Sequence, residues 1–216
     1  MDTMQQQQHP ITSIKTRHYR RRQVARALLA RHSHHMHSED LPQNPIKVVC
    51  ISDTHNTKPV LPPGDVLIHA GDLTEHGSFD EVQVGLEWLS SQPHRFKILI
   101  AGNHDVLFDE DFLEKYPERR YGETRTKQDL HWGDVIYLQD TSITLNIPIA
   151  VQTDDGGQTV IRKVTIFGSP WTPQYGISAF QYEVNSGQNH WSQRLRIEGR
   201  RYRPDVTVMS LERLRT

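Results

Sequence analysis

Residues 98–105, Ile-Leu-Ile-Ala-Gly-Asn-His-Asp, restrict the fold more than any other stretch of the chain. The apolar run 96–101 is too short for a helix and suits a strand covered on both faces. Gly102 permits a sharp turn without a Cβ clash, and an amide, an imidazole and a carboxylate follow at once. Open α/β sheets place their ligands at the carboxyl ends of strands. The same arrangement occurs twice upstream. Residues 46–51 run into Ser52-Asp53-Thr54-His55-Asn56, and residues 65–70 run into Gly71-Asp72. Pro59, Pro62, Pro63 and Gly64 mark the loop between these strands. Ser78 with Glu81 forms a capping box for a helix in which Phe79, Val82, Leu86 and Leu89 share one face, and Pro93 closes it. Strands alternating with a helix predict an α/β domain with a mostly parallel sheet. Adjacent parallel strands then gather Asp53, His55, Asp72, Asn103, His104 and Asp105 at one edge, a convergence that follows from topology alone.

Downstream, residues 110–116 and 124–132 are predicted short helices, and 135–138, 142–151 and 159–167 predicted strands. Asp154-Asp155-Gly156-Gly157 is a hairpin signal between the last two. Gly168-Ser169-Pro170-Trp171-Thr172-Pro173 leaves as an irregular loop, and a further short helix is expected around 179–184. Residues 194–216 are basic, with a strand-like signal only at 206–209.

A chain of 216 residues suits one domain plus a tail. The mean hydropathy of −0.66 is low for a compact enzyme and indicates a segment too polar to fold, diluting the average. Residues 1–44 fit that description. They open on a glutamine run, carry Lys15 and six arginines from Arg17 to Arg31, and hold no acidic residue between Asp2 and Glu39. A solvated, disordered tail is the expected state; an organellar transit peptide and a binder of anionic surfaces are the alternatives. His32, His34, His35 and His37 cluster there with no strand to fix them. A net charge of −1 gives no global electrostatic case for nucleic acid, and no apolar run approaches the ~20 residues of a membrane span. The single cysteine, Cys50, lies in a predicted strand and reads as a buried, inert thiol in a reducing compartment. The cytoplasm is the expected location.

Asp53, His55, Asp72 and Asn103 offer carboxylate, imidazole and amide donors, a mixture suited to Mn²⁺, Fe²⁺ or Zn²⁺ and not to a thiolate site. Asp72, on the middle strand, can bridge two ions, and two ions about 3.5–4 Å apart can clamp a phosphoryl group and activate water. His104 can protonate a leaving oxygen, with Asp105 orienting its ring. Taken singly, Asp53 and Asp72 suit caps or turns; the ordered set does not reduce to that. His69 reads as a packed core histidine, His76 as an exposed loop residue, Trp88 and Trp132 as packing, and Trp171 as a lining residue of the site mouth.

Asp53-Thr54-His55, Gly71-Asp72 and Gly102-Asn103-His104-Asp105 resemble the first three signature blocks of the calcineurin-like metallophosphoesterases. Residues 66–105 are most similar to the small metallophosphoesterase-domain branch, which includes cyclic-nucleotide phosphodiesterase-like proteins. The 168–173 loop and Ala179-Phe180 also resemble features of that branch. The resemblance covers about residues 46–191. It implies a β-sandwich flanked by helices and a dinuclear centre acting on small-molecule phosphoesters. Asp53 and His55 would bind the first metal, Asp72 would bridge, and Asn103 would bind the second. His104 would act on the leaving group, supported by Asp105.

The resemblance stops short of the C-terminus. The family continues with a strand ending in Gly-His or Thr-His and then a Gly-His-x-His block, and nothing after Asp105 matches either. His131 and His190 are the only later histidines, each beside a tryptophan, and both read as surface or half-buried. After Ile197 the chain becomes Glu198-Gly199-Arg200-Arg201-Tyr202-Arg203. The expected organisation is therefore a tail at 1–44, a partial phosphoesterase domain at 45–197 and a divergent segment at 198–216. That last segment reads as a truncation or alteration, such as a splice or reading-frame variant. The competing expectation is a catalytically impaired remnant that holds one ion or serves as an interaction module.

Overall fold

The computed structural model describes residues 44–153, 156–183 and 207–209, with backbone only at 152, 153 and 207–209. Expectations for the 1–43 tail, its histidine cluster, His190 and residues 184–206 and 210–216 fall outside the described residues. All the elements below lie in the unit Ile46–Glu212.

Four strands form a parallel sheet in sequence order: β1 (Val48–Ile51), β2 (Val66–Ala70), β3 (Phe96–Ile100) and β4 (Val135–Tyr137). β2 and β3 are the central pair and are buried nearly throughout, as their unbroken apolar sequences require. Between them runs α1 (Phe79–Ser90), opened by the Ser78–Glu81 capping box. Its Phe79, Val82, Leu86 and Leu89 are buried against Leu67 and Leu99 on one face of the sheet. Each such burial contributes about 1.5–3 kcal/mol relative to exposure. On the other face, Val66, Ile68, Ile98 and Ile100 meet Leu145, Ile147, Ile149 and Ile166 from a second sheet. That sheet consists of β5 (Thr141–Thr153), β6 (Gly156–Gly168) and β9 (Thr207–Met209), with β5 and β6 antiparallel and β9 parallel to β6. The architecture is a sandwich flanked by a helix, and the alternation of side chains along β2 and β3 feeds both of its cores. Thr153 pairs with Gly156, which makes the hairpin two residues long, although Asp154 and Asp155 lie outside the described residues.

Three local expectations are corrected. The helix at 124–132 is only a 3₁₀ turn, Lys127–Asp129, because the Thr126–Asp129 capping box closes on a single turn and Leu130 is already extended. The predicted helix around 179–184 is instead strand β8 (Gln181–Tyr182), which pairs with β7 (Thr172–Pro173). Phe180 has φ of 55°, which excludes a right-handed helix there, and it donates its N–H to Asp109 Oδ2 at 2.7 Å. Cys50 is exposed. In register with Ile68, it faces the second sheet from the edge strand β1, and the second sheet leaves both it and Val48, 46% exposed, uncovered. The expectation of burial fails, though partial burial still raises the thiol's pKa. Half-buried Trp171 packs edge-on against Phe180 with ring centroids 5.8 Å apart, and its indole N–H donates to Asp140 Oδ2 at 3.0 Å.

The 110–116 helix appears as α2 (Glu110–Lys115), capped by Asp109. Trp88 and Trp132 pack against the helix-side core. His131 is exposed, its backbone N–H held by Gln83 Oε1 at 2.9 Å. Among the described residues, no helix is long and apolar enough to cross a membrane.

Candidate metal centre

The turns that follow β1 and β2 are joined by their backbones before any side chain is considered. Asp53 N–H donates to Gly71 O at 3.0 Å, His55 N–H to Asp72 O at 3.1 Å and Asn56 N–H to Leu73 O at 3.0 Å, which extends the β1–β2 contact past the ends of both strands. Asp53, His55 and Asp72 all have positive φ, at 54°, 42° and 54°. Left-handed backbone costs a non-glycine residue of order 1–3 kcal/mol in strain and persists only where the surroundings enforce it. Here it aims three potential ligand side chains at one point.

The third turn meets the second through Gly102. A Cβ at that position would lie 2.2 Å from Asp72 N and 2.3 Å from Asp72 Oδ1, so only glycine lets the two turns touch. His104 N–H then donates to Asp72 Oδ1 at 3.0 Å. Asp105 completes the junction. Its carboxylate accepts Thr74 N–H at 2.9 Å and Thr74 Oγ1–H at 2.7 Å on one oxygen, and Gly102 N–H at 2.8 Å and Leu73 N–H at 3.2 Å on the other. The side chain is 0% exposed. Burial raises its pKa, opposed by the donors from Gly102 and Thr74.

The expected role of Asp105 as the orienting partner of the His104 ring is therefore corrected. All four of these donors come from Gly102, Leu73 and Thr74. The His104 ring is set instead by Glu75, whose backbone carbonyl accepts from Nδ1 at 2.6 Å. A carbonyl can only accept, so Nδ1 carries a proton and Nε2 is the end left for chemistry. His55 is arranged alike: Nδ1 donates to Thr74 O at 3.2 Å and lies 3.3 Å from Glu75 Oε2. The His55 and His104 rings meet edge to face at 4.6 Å.

Beneath this layer lies His69, 0% exposed, with Nε2 at 2.8 Å from Thr54 Oγ1, whose hydroxyl in turn reaches Leu73 O at 3.4 Å. Its Nδ1 has no partner, and burial pushes its pKa down to about 4. The consistent protonation is a neutral ring with Nε2–H donating to Thr54, since a bare lone pair is a cheaper orphan than an N–H. The core reading of His69 holds, and the residue also steadies the turn that carries Asp53 and His55. Glu81 does the same from α1. It accepts from Asn56 Nδ2 at 2.7 Å, His76 N–H at 3.2 Å and Ser78 N–H at 3.0 Å. Burial acts against ionisation there, but these donors hold the carboxyl below its usual range.

Two groups of side chains can each converge on one cation. Ligand atoms of Asp53, His55 and Asp72 lie within 4.8 Å of one another, and so do those of His55, Glu75 and His104. Asp72 is only 4% exposed, so a buried carboxylate sits beside a second carboxylate, an arrangement that a cation relieves. The donors are oxygen and imidazole nitrogen, and the exposed Cys50 belongs to neither group. The set fits a hard or borderline divalent ion. Asn103 sits half-buried on the same turn, between Gly102 and His104, and its backbone carbonyl accepts from Ser178 Oγ at 3.0 Å. Glu75 was missed by sequence reasoning. It lies three residues past Asp72 without a motif of its own, and only the fold of the 72–77 loop brings it back to His55.

With this geometry in place, the comparisons with known proteins are specific. The family model described as "Calcineurin-like phosphoesterase" matches residues 46–210. The chain belongs to the calcineurin-like phosphoesterase family, a family of metal-dependent phosphoesterases. It is 36% identical over 151 residues to human metallophosphoesterase domain-containing protein 1, covering 64% of this chain and 41% of that protein. A UPF0046 protein of Caenorhabditis elegans is 34% identical over 151 residues, covering 68% of the chain and 46% of the relative. A protein of Emericella nidulans named "Probable rhamnogalacturonate lyase C" is 48% identical over 139 residues, covering 64% of this chain but 12% of that protein. The chain spans less than half the length of each of these relatives. The lyase name describes a protein of which this chain matches a small part.

Proposed function

We propose that the protein hydrolyses phosphodiester or phosphomonoester bonds in small molecules with the help of divalent metal ions. The observation that carries this reading is the convergence of Asp53, His55 and Asp72 within 4.8 Å beside an imidazole, His104, whose Nδ1 is already committed. Asp53, His55 and Asp72 would hold the first ion, with Asp72 bridging to a second ion bound through Asn103. Mn²⁺, Fe²⁺ and Zn²⁺ all suit these donors. The chemistry such ions supply when bound is Lewis acidity toward phosphoryl oxygens and acidification of water.

The chain's own residues do the rest. Thr74 O fixes the His55 ring and leaves Nε2 with the lone pair that a cation needs. Glu75 O fixes the His104 ring, so its imidazolium form presents Nε2–H and can give that proton to the leaving alkoxide. Asp105 and Gly102 keep His104 and Asp72 in one register without touching the reacting atoms.

Purified protein loaded with Mn²⁺ should cleave an aryl phosphodiester such as bis(p-nitrophenyl) phosphate, and Asp72→Ala should abolish turnover while leaving the fold intact by circular dichroism. Turnover no greater than a metal-only blank would sink the proposal. A second reading, an impaired member of the family holding a single ion, is favoured by one observation: among the described residues both ligand groups share His55. Metal counting separates the two, because two tightly held ions per chain support the dinuclear hydrolase and one supports the impaired form.

A further inference from the structure

Among the described residues, neither ligand group includes a member of the stretch 168–182. That stretch nevertheless reaches the third turn. Ser178 donates its hydroxyl to the backbone carbonyl of Asn103 at 3.0 Å, across 75 residues of sequence. We propose that Ser178 is a positioning residue for Asn103 and His104, holding the peptide between them in the plane that Asp72 grips from the opposite edge.

The geometry of one peptide unit is the first argument. The bond from Asn103 to His104 is planar and trans, so its C=O and N–H leave from opposite edges. Ser178 takes the carbonyl edge, and the N–H edge donates to Asp72 Oδ1 at 3.0 Å. A bond at one edge alone permits the plane to rock about its Cα–Cα axis, and a bond at each edge opposes that motion. Rocking changes ψ of Asn103 and φ of His104 together, so it redirects both side chains. The residues on either side are secured differently: the Asp105 carboxylate accepts Gly102 N–H at 2.8 Å, and Gly102 O accepts Asp105 N–H at 3.2 Å.

The second argument is the anchorage of Ser178 itself. Residues 174–177 are exposed, Ser178 is half-buried, and the next two residues, Ala179 and Phe180, are 0% and 1% exposed. Phe180 donates its N–H to Asp109 Oδ2 at 2.7 Å, and its carbonyl accepts Thr172 N–H at 2.9 Å. Asp109 in turn caps α2 by accepting Phe112 N–H at 3.1 Å. The stretch is therefore tied to the chain after β3 at two points, Asn103 and Asp109. Left-handed backbone at Phe180, with φ of 55°, is costly for an aromatic residue and persists only where the surroundings impose it. A hydroxyl carried on so constrained a backbone can hold its acceptor in place.

The third argument is that the 168–173 loop and Ala179-Phe180, singled out in the sequence, have no part in the metal groups, and delivery of Ser178 to the turn gives them one. The Glu75 carbonyl already fixes the His104 ring at 2.6 Å, and that bond stays short only while the backbone beneath the ring keeps its orientation. Catalytic groups act within about 0.5 Å of their productive positions, so a tilt of this one peptide is enough to matter. The consequence for catalysis rests on the proposed hydrolase, in which Asn103 holds the second ion and His104 gives up the proton; the restraint on the peptide does not.

Amide hydrogen exchange of the full chain in excess chelator, read by ¹⁵N NMR, tests the restraint without metal or turnover. Ser178→Ala should speed exchange of the His104 amide by about five-fold or more, the scale of one neutral hydrogen bond. The Gly102 and Thr74 amides, which Asp105 holds, should stay within about two-fold of wild type. Ser178→Thr keeps the hydroxyl and should restore the protection of His104. With Mn²⁺ bound, Ser178→Ala should lower kcat toward bis(p-nitrophenyl) phosphate by about ten-fold or more, and Ser178→Thr should recover most of it. A wild-type His104 amide without protection, one indifferent to Ser178→Ala, equal acceleration at all three amides, or a threonine variant that behaves like the alanine one would each overturn the assignment. So would full turnover in Ser178→Ala, which would leave the hydrolase standing. Loss of protection at His104 alone, in a protein without Mn²⁺-dependent turnover, would retain the restraint and count against the hydrolase.

Discussion

Replacing Asp105 by asparagine separates two roles that look alike in sequence. A carboxylate that only orients His104 would, when changed to an amide, lower turnover and leave stability alone. The structure assigns Asp105 a different task, because its two oxygens accept from Gly102 N–H, Leu73 N–H, Thr74 N–H and the Thr74 hydroxyl. Asparagine keeps one oxygen and so can serve one pair of these donors. Its best orientation turns the amide nitrogen toward Thr74, whose hydroxyl can rotate toward His104 O, now at 3.5 Å. The Thr74 N–H is then buried with no acceptor, and the remaining bonds lose their charge. An unsatisfied buried donor costs about 1–3 kcal/mol and the weakened bonds add to it, so Asp105→Asn should destabilise by roughly 2–4 kcal/mol. That is a large part of the about 5–15 kcal/mol available to a domain and corresponds to a fall in Tm of about 5–15 °C. Urea and thermal unfolding of wild type and variant in chelator measure it without interference from bound metal. A loss below about 0.5 kcal/mol would refute the reasoning, because it would mean that the carboxyl carries its own proton and that an amide replaces it without penalty.

Two further outcomes follow from the same junction and the layer beneath it. Gly102→Ala would push a methyl to 2.2 Å from Asp72 N, so it should displace Asp72 and lower affinity for Mn²⁺ by about ten-fold or more, on the scale of lost supporting contacts at metal sites; calorimetric titration with unchanged affinity would exclude the close approach. His69, with its pKa pushed down to about 4, binds its proton more weakly in the fold than at its ordinary value of 6.5. Stability of the chelated protein should thus fall as pH falls through that window, by roughly 2 kcal/mol at pH 5. His69→Gln, which keeps an N–H for Thr54 without titrating, should flatten the profile, and parallel profiles for the two proteins would contradict the assignment.

The sequence by itself determined the strands and the places where they end. Unbroken apolar runs in β2 and β3 leave no alternative to burial on both faces. The Ser78–Glu81 box and the 3.6-residue spacing of Phe79, Val82, Leu86 and Leu89 carry their own start signal and orientation. From these, parallel order and the gathering of Asp53, His55, Asp72 and the 102–105 turn at one edge were legible, because short-range chemistry and chain topology suffice for them. Where the tertiary structure decided, the determining contact came from residues far away in the chain. The left-handed backbone at Phe180, whose N–H is bonded to Asp109, replaced an expected helix with a turn into β8, and the edge position of β1 left Cys50 exposed. Asp105 and His104 are neighbours in sequence, yet one carboxylate faces inward to tie Leu73, Thr74 and Gly102 together while the imidazole faces Glu75. Adjacent residues on a tight turn point apart, and which partner each meets depends on the strand that packs beside it. The Gly102–Asp105 turn could therefore be located from sequence as a site, and its division of labour could be read only from the fold.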